Sequence, residues 1–380
     1  MAPSAETKRA TGPRLRRLLD YLARDPDNAT LLADAADAAV EEGDFETADR
    51  LLAKLESRGG LTPALLNLRG IVSLAAENYA QAEQTFAALM AASQNDATVR
   101  FNLAWARAKL GLYQEAADLL DDATVAASPR GPSLKIHAMH HLGLYEEGLE
   151  QGARLAQRFP DDRSLMGALA TLAMDADRPD LASQYAARAG DDGEGLAVRG
   201  LLALSAYNTD EALSDFDSAI AKQPRNPRAW IGKGLGQLAR GDAAGGAEAI
   251  DRGAELFQSH LGSWIAAGWA HFACGDRVAA RARFERALAL DENFAESHGA
   301  LAVLDIMDGN VDSARRRTEI ALRLDRNCFG AALAATLLLQ QAGRPDAARK
   351  IVETAMSAPI GPNGTTLLQA MMGFGLTPRR

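Results

Sequence analysis

A block of about 34 residues recurs ten times in this 380-residue chain, and no other feature constrains the fold as tightly. With Ala29 as position 1 of the first block, the others begin at Pro63, Ala97, Pro129, Arg163, Gly193, Pro227, Leu261, Ala295 and Phe329. Seven of the nine steps are 34 residues, while those from 97 to 129 and from 163 to 193 are 32 and 30. Position 8 reads Ala36, Gly70, Ala104, Ile136, Ala170, Gly200, Gly234, Gly268, Ala302 and Thr336. Position 20 is alanine or glycine throughout, from Ala48 and Ala82 to Ala314 and Ala348, with Gly148 and Gly246 among them. Small side chains at fixed places in two successive helices let an antiparallel pair cross closely. A unit this short buries its apolar face only by stacking on its neighbours.

The turn chemistry agrees with two helices per block. Position 15 is glycine in seven blocks: Gly43, Gly111, Gly143, Gly241, Gly275, Gly309 and Gly343. Glycine suits the left-handed residue that ends a helix. Asp44, Asn78, Asn208, Asp242, Asp276 and Asn310 follow as caps for the second helix. Pro179 and Pro345 fit the first turn of a helix, and Pro26, Pro160 and Pro224 stop the second helix of a block.

These positions resemble the tetratricopeptide repeat family. Block eight places Trp264, Gly268, Gly275, Ala280, Phe284 and Ala287 at the family's positions 4, 8, 15, 20, 24 and 27; block six adds Gly200, Ala212, Phe216, Ala219 and Pro224. The resemblance spans residues 29 to about 358. It implies an all-α fold, a right-handed superhelical solenoid of about ten helix-turn-helix repeats with short capping helices at both ends. The expected organisation is a disordered start and capping helix over 1–28, the latter from RLRRLLDYLAR at 14–24. Repeats 1–3 follow over 29–128, irregular repeats 4–5 over 129–192 and repeats 6–10 over 193–360, in one continuous solenoid. A C-terminal cap and tail occupy 361–380, where TTLLQAMM would pack Leu367, Leu368 and Met371 on repeat ten.

The resemblance also implies that positions 2, 5, 9 and 12 of each first helix line a concave face. At about 100° per residue these four share one stripe, offset from the stripe of positions 4, 7, 8 and 11 that packs the hairpin. In repeats seven to ten that stripe is apolar, with Ile231, Leu235, Ile265, Trp269, Phe272, Val303, Ile306, Leu333 and Leu337; repeat three adds Phe101 and Trp105. Repeats four and five present Ser133, His137, His140, Gly167 and Thr171 instead. The candidate partner-binding residues are therefore Phe101, Trp105, Ile231, Leu235, Ile265, Trp269, Phe272, Val303, Ile306 and Leu337. Two readings stand side by side: an open groove for an apolar peptide or helix, or internal packing of neighbouring first helices. Family members that clamp a C-terminal carboxylate use basic residues on successive first helices, and around Asn102 this chain has Phe101, Leu134 and His137 at the matching positions instead. The position-6 asparagine ladder that grips a peptide backbone in other members is absent too.

Composition excludes some classes. Fifty acidic against 41 basic residues leave a net charge of −9, which argues against nucleic acid as the main partner. No apolar run is long enough for a membrane span or a signal peptide, and Cys274 and Cys328 match no zinc or redox spacing, so a cytoplasmic protein is expected. The run HAMHH puts His137 and His141 one turn apart, a weak metal signal against a solvated histidine face. Arg315, Arg316 and Arg317 read as a solvated face or a contact for an acidic partner. There is no nucleophile motif or phosphate loop, and no cofactor or metal is called for. The expected function is a non-catalytic scaffold or adaptor that binds another protein, with self-association through the same groove open. The alternative is an accessory subunit that docks an enzyme or assembly machine through its convex face, and a metal-responsive adaptor ranks behind both.

Overall fold

The computed structural model describes residues 12–92 and 96–357. The helix and side chains expected from TTLLQAMM, and the disordered start expected over the first residues, lie outside that range. Twenty-two helices and no strand are found among the described residues. The chain divides into two compact units, Met1–Pro160 and Asp161–Arg380, so the boundary falls between repeats four and five rather than at either shortened step.

The first unit runs α1 (Pro13–Leu22), α2 (Ala29–Glu42), α3 (Phe45–Gly59), α4 (Pro63–Ala75), α5 (Tyr79–Ala92), α6 (Ala97–Lys109), α7 (Tyr113–Leu119), α8 (Asp122–Ala126), α9 (Gly131–His141) and α10 (Tyr145–Arg158). The expected N-terminal cap is present. Leu15 and Leu22 of α1 are buried against Leu32, Ala35 and Leu52, and Glu42 accepts the Gly12 N–H at 2.7 Å across the open start of α1. The second helix of repeat three is broken. α7 ends at Leu119, and Asp121 then caps the short α8 by accepting from Thr124 N at 2.8 Å. That hydrogen bond and the Arg100 guanidinium hold the Asp121 carboxyl well below the usual carboxylate range.

The second unit runs α11 (Arg163–Asp175), α12 (Pro179–Ala189), α13 (Gly193–Ser205), α14 (Thr209–Lys222), α15 (Pro227–Ala239), α16 (Ala243–Phe257), α17 (Leu261–Ala273), α18 (Arg277–Leu290), α19 (Ala295–Met307), α20 (Val311–Leu324), α21 (Phe329–Gln341) and α22 (Pro345–Ser357). Each first helix packs on its own second helix, and that second helix packs on the following first helix.

The core is a set of size-matched crossings. Phe86, Phe216 and Phe284 at position 24 are fully buried, and each faces a glycine at position 8 of its own repeat. A Cβ on Gly70 would lie 2.5 Å from the Phe86 ring, one on Gly200 2.7 Å from Phe216, and one on Gly268 would overlap Phe284. Repeats one and three pair Ala36 with Leu52 and Ala104 with Leu120, and repeat four reverses the sizes with Ile136 and Gly152. This exchange accounts for Ile136 at position 8. In these crossings the summed volume is kept while its distribution changes, as close packing requires.

The seven position-15 glycines have φ between 70° and 84°. The three repeats without glycine adopt the same backbone, with φ of 57° at Glu77, 58° at Asp177 and 62° at Tyr207. The turn geometry is thus imposed by hairpin packing and not by the residue present. A left-handed conformation costs a residue with a Cβ about 1–2 kcal/mol. Asp177→Gly is therefore expected to stabilise the second unit by about 1 kcal/mol, after allowing for glycine's larger loss of freedom on folding. A rise in the unfolding midpoint of the full chain checks this; an unchanged or lower midpoint contradicts it. Of the position-16 caps, Asp44, Asn78, Asp242 and Asp276 accept as expected, whereas Asn208 and Asn310 make no capping hydrogen bond.

Candidate functional site

In the second unit, α17, α19 and α21 present the stripe that the sequence marks as apolar. Its residues do not share one environment. Ile265 lies in a core cluster with Trp264, Phe284 and Leu301, and Val303 and Ile306 are buried in another with Ala314 and Ala334. These three are internal packing, not ligand surface. For Val303 and Ile306 the cause is the approach of α19 to α21: a Cβ on Gly330 would lie 2.6 Å from Ala300 N, and one on Gly299 would strike the backbone of Ala331. With bare backbone at the crossing, the helices close and seal the side chains between them.

What remains accessible is a patch around Trp269. Its half-buried indole is edge-on to Phe272 at 5.5 Å, to Phe284 at 5.1 Å and to Phe329 at 5.9 Å between ring centroids. Phe329, at the start of α21, is 46% exposed. Leu333 and Leu337 pack partly buried against the same cluster. Aromatic pairs of this geometry contribute about 0.5–1.5 kcal/mol each beyond burial, so the Trp269 ring is held in place. Sequence reasoning missed Phe329 because it sits one position outside the 2, 5, 9, 12 stripe. Of the other candidates, Leu235 is 39% exposed, and Ile231 is half-buried and faces the bare backbone of Gly253 on α16.

Two polar hubs brace the second helices beside this patch. Asp305 accepts from Arg281 at 2.9 Å, Ser313 at 2.7 Å and Arg317 at 3.1 Å, so one of the three consecutive arginines is turned inward. Asp251 accepts from His271 at 2.7 Å and from both nitrogens of Arg283 at 2.8 and 2.7 Å. Burial pushes the Asp251 carboxyl up, but the Arg283 and His271 hydrogen bonds outweigh it and hold it below its ordinary value. At the start of α21, Glu296 reaches across from α19 and accepts the Gly330 N–H at 3.0 Å. Cys328 just before it is buried, and burial with the adjacent Glu296 pushes its thiol up to about 12.

In the first unit, Phe101 is buried and only Trp105 of that pair is partly open, 6.0 Å from Phe101 and flanked by the cations of Lys109 at 5.5 Å and Arg130 at 4.9 Å. His141 stacks flat on Tyr113 at 4.1 Å and meets His140 edge-on at 5.5 Å. Among the described residues no three His, Cys, Asp or Glu side chains converge as a metal-binding group, and no helix is long and apolar enough to cross a membrane.

The family profile described as "Tetratricopeptide repeat" matches residues 33–97, 67–132 and 198–260. No curated protein matches the chain. Among solved structures, the chain is similar to the APC/C hetero-tetramer Cut9–Hcn1 at 14% identity and a TM-score of 0.50, covering 95% of this chain and 86% of that one. It is also similar to the human IFIT1 dimer with PPP-AAAA at 12% identity and a TM-score of 0.53, covering 91% and 95%. At these identities the likeness is one of fold, an all-α repeat solenoid.

Proposed function

Because this chain is a tetratricopeptide repeat protein, we propose that it is a non-catalytic scaffold that binds a partner protein through the apolar patch on α17, α19 and α21. The observation that supports this reading is the pairing of a fixed Trp269 indole with the half-exposed Phe329. An apolar surface around a rigid tryptophan is the usual makeup of a binding hot spot. Its shape suits the apolar face of an amphipathic helix, with anchors spaced at i, i+3 or i+4, and i+7. A cytoplasmic setting fits the two unpaired thiols, Cys274 and Cys328.

Peptides selected from a random helical library against the full chain test the proposal. We expect the selected sequences to carry apolar anchors at helical spacing. Phe329→Glu should weaken their binding by at least about 30-fold, the worth of an apolar hot spot of about 2 kcal/mol. The Phe329 side chain is half-exposed, so the variant keeps its fold by circular dichroism. Undiminished binding would move the docking surface to the second helices, as the accessory-subunit alternative requires.

A further inference from the structure

A second feature lies on the preceding hairpin, in repeat seven. The second helix of repeat seven opens with five small residues, Ala243, Ala244, Gly245, Gly246 and Ala247. Where repeats six and eight place Leu213 and Arg281 at position 21, repeat seven has Ala247. The volume left unfilled is a cleft of about 830 Å³ floored by α16, with α15 on one side and the end of α17 on the other. This is the size range of pockets that take ligands.

Its walls have a definite chemistry. Trp230 forms one side, its indole fixed by a 2.8 Å hydrogen bond from Nε1 to the Pro224 carbonyl. That ring already draws a cation: the Lys233 ammonium lies 5.8 Å from its centroid, tied at 2.7 Å to Asp217. The cations within the cleft are therefore engaged, Lys233 by Asp217 and Arg252 by Glu255 at 3.3 Å. Asp251 at the base is satisfied by Arg283 and His271. The exposed Glu248 carboxylate has no ion-pair partner among the described residues, and the buried Oε1 of Gln237 has no hydrogen-bond partner. Both unused groups are acceptors, and both line the same cleft as the Trp230 ring.

We propose that this cleft is a docking site for an arginine side chain of a partner protein, its guanidinium lying against Trp230 and pairing with Glu248. A planar cation with five N–H donors satisfies an indole face and free acceptors together, which an ammonium or an anion does not. The site is separate from the Trp269 patch and does not depend on it.

Cys274 lines the cleft and is exposed, whereas Cys328 is buried with its thiol raised to about 12, so alkylation by iodoacetamide reads Cys274 alone. The probe is acetyl-Gly-Arg-Gly-amide, with acetyl-Gly-Glu-Gly-amide as control, on the full chain. We expect the arginine peptide at millimolar concentration to slow alkylation saturably, by about fivefold, and the glutamate peptide to leave it unchanged. Glu248→Lys, a surface change, should remove the protection, and Trp230→Leu should weaken it. Phe329→Glu should leave it intact, which separates this site from the patch on α17, α19 and α21. Absence of protection in the wild-type protein, or protection undiminished in Glu248→Lys, overturns the proposal.

Discussion

Phe284→Ala is expected to destabilise the second unit by about 4 kcal/mol, near the upper end for a single truncation. The ring is fully buried, backs the Trp269 indole at 5.1 Å and fills the space that Gly268 leaves open. Its loss leaves a cavity that neither α17 nor α18 can close without breaking its packing on the neighbouring hairpins. Gly268→Ala alone should also destabilise, by about 2–3 kcal/mol, because the new methyl overlaps the ring. The pair changed together, Phe284→Leu with Gly268→Ala, recreates the Ala–Leu crossing of repeats one and three and should cost less than about 1.5 kcal/mol. Denaturant unfolding of the three variants measures the coupling. Simple additivity between the two positions would show that size matching does not govern this crossing.

The second large effect concerns the sealed interface between α19 and α21. Gly299→Ala places a methyl against the backbone of Ala331 and Gly330, and backbone in mid-helix cannot move aside as a side chain can. We expect a loss of about 3 kcal/mol or more, with hydrogen exchange faster in α19 to α22 than in α11 to α14, because stacked repeats couple chiefly to their nearest neighbours. The separation should also expose Val303 and Ile306, seen as binding of a hydrophobic dye to the variant. A stable variant with unchanged exchange would mean that α21 has room to shift, contrary to the packing described.

Much of this architecture was legible in the chain, and the reason is local. The small residues at positions 8 and 20, the turn glycines and the helix-ending prolines act within one hairpin, so a periodic reading finds them. Pro179 and Pro345 do begin α12 and α22. The parts missed depend on neighbours. Whether Ile265, Val303 and Ile306 face a ligand or a core is decided by how closely the next first helix approaches. For Val303 and Ile306 that approach is controlled by Gly299 and Gly330, which stand at positions 5 and 2 of the very stripe being read. These two bare residues were the available signal. Capping of α21 by Glu296 comes from 33 residues away, beyond any local pattern. The left-handed Asp177 was hidden for the opposite reason: packing dictates its backbone against its own preference.

The size trade between positions 8 and 24 bears on how such a chain can lengthen by duplication. A hairpin copied whole brings both halves of its crossing with it, whether Gly–Phe, Ala–Leu or Ile–Gly. A breakpoint inside a hairpin joins a glycine to a glycine, or an isoleucine to a phenylalanine. Recombination between repeats is thus tolerated at the loops that join successive hairpins and selected against at the turn within one. The heritable module of this protein is the hairpin.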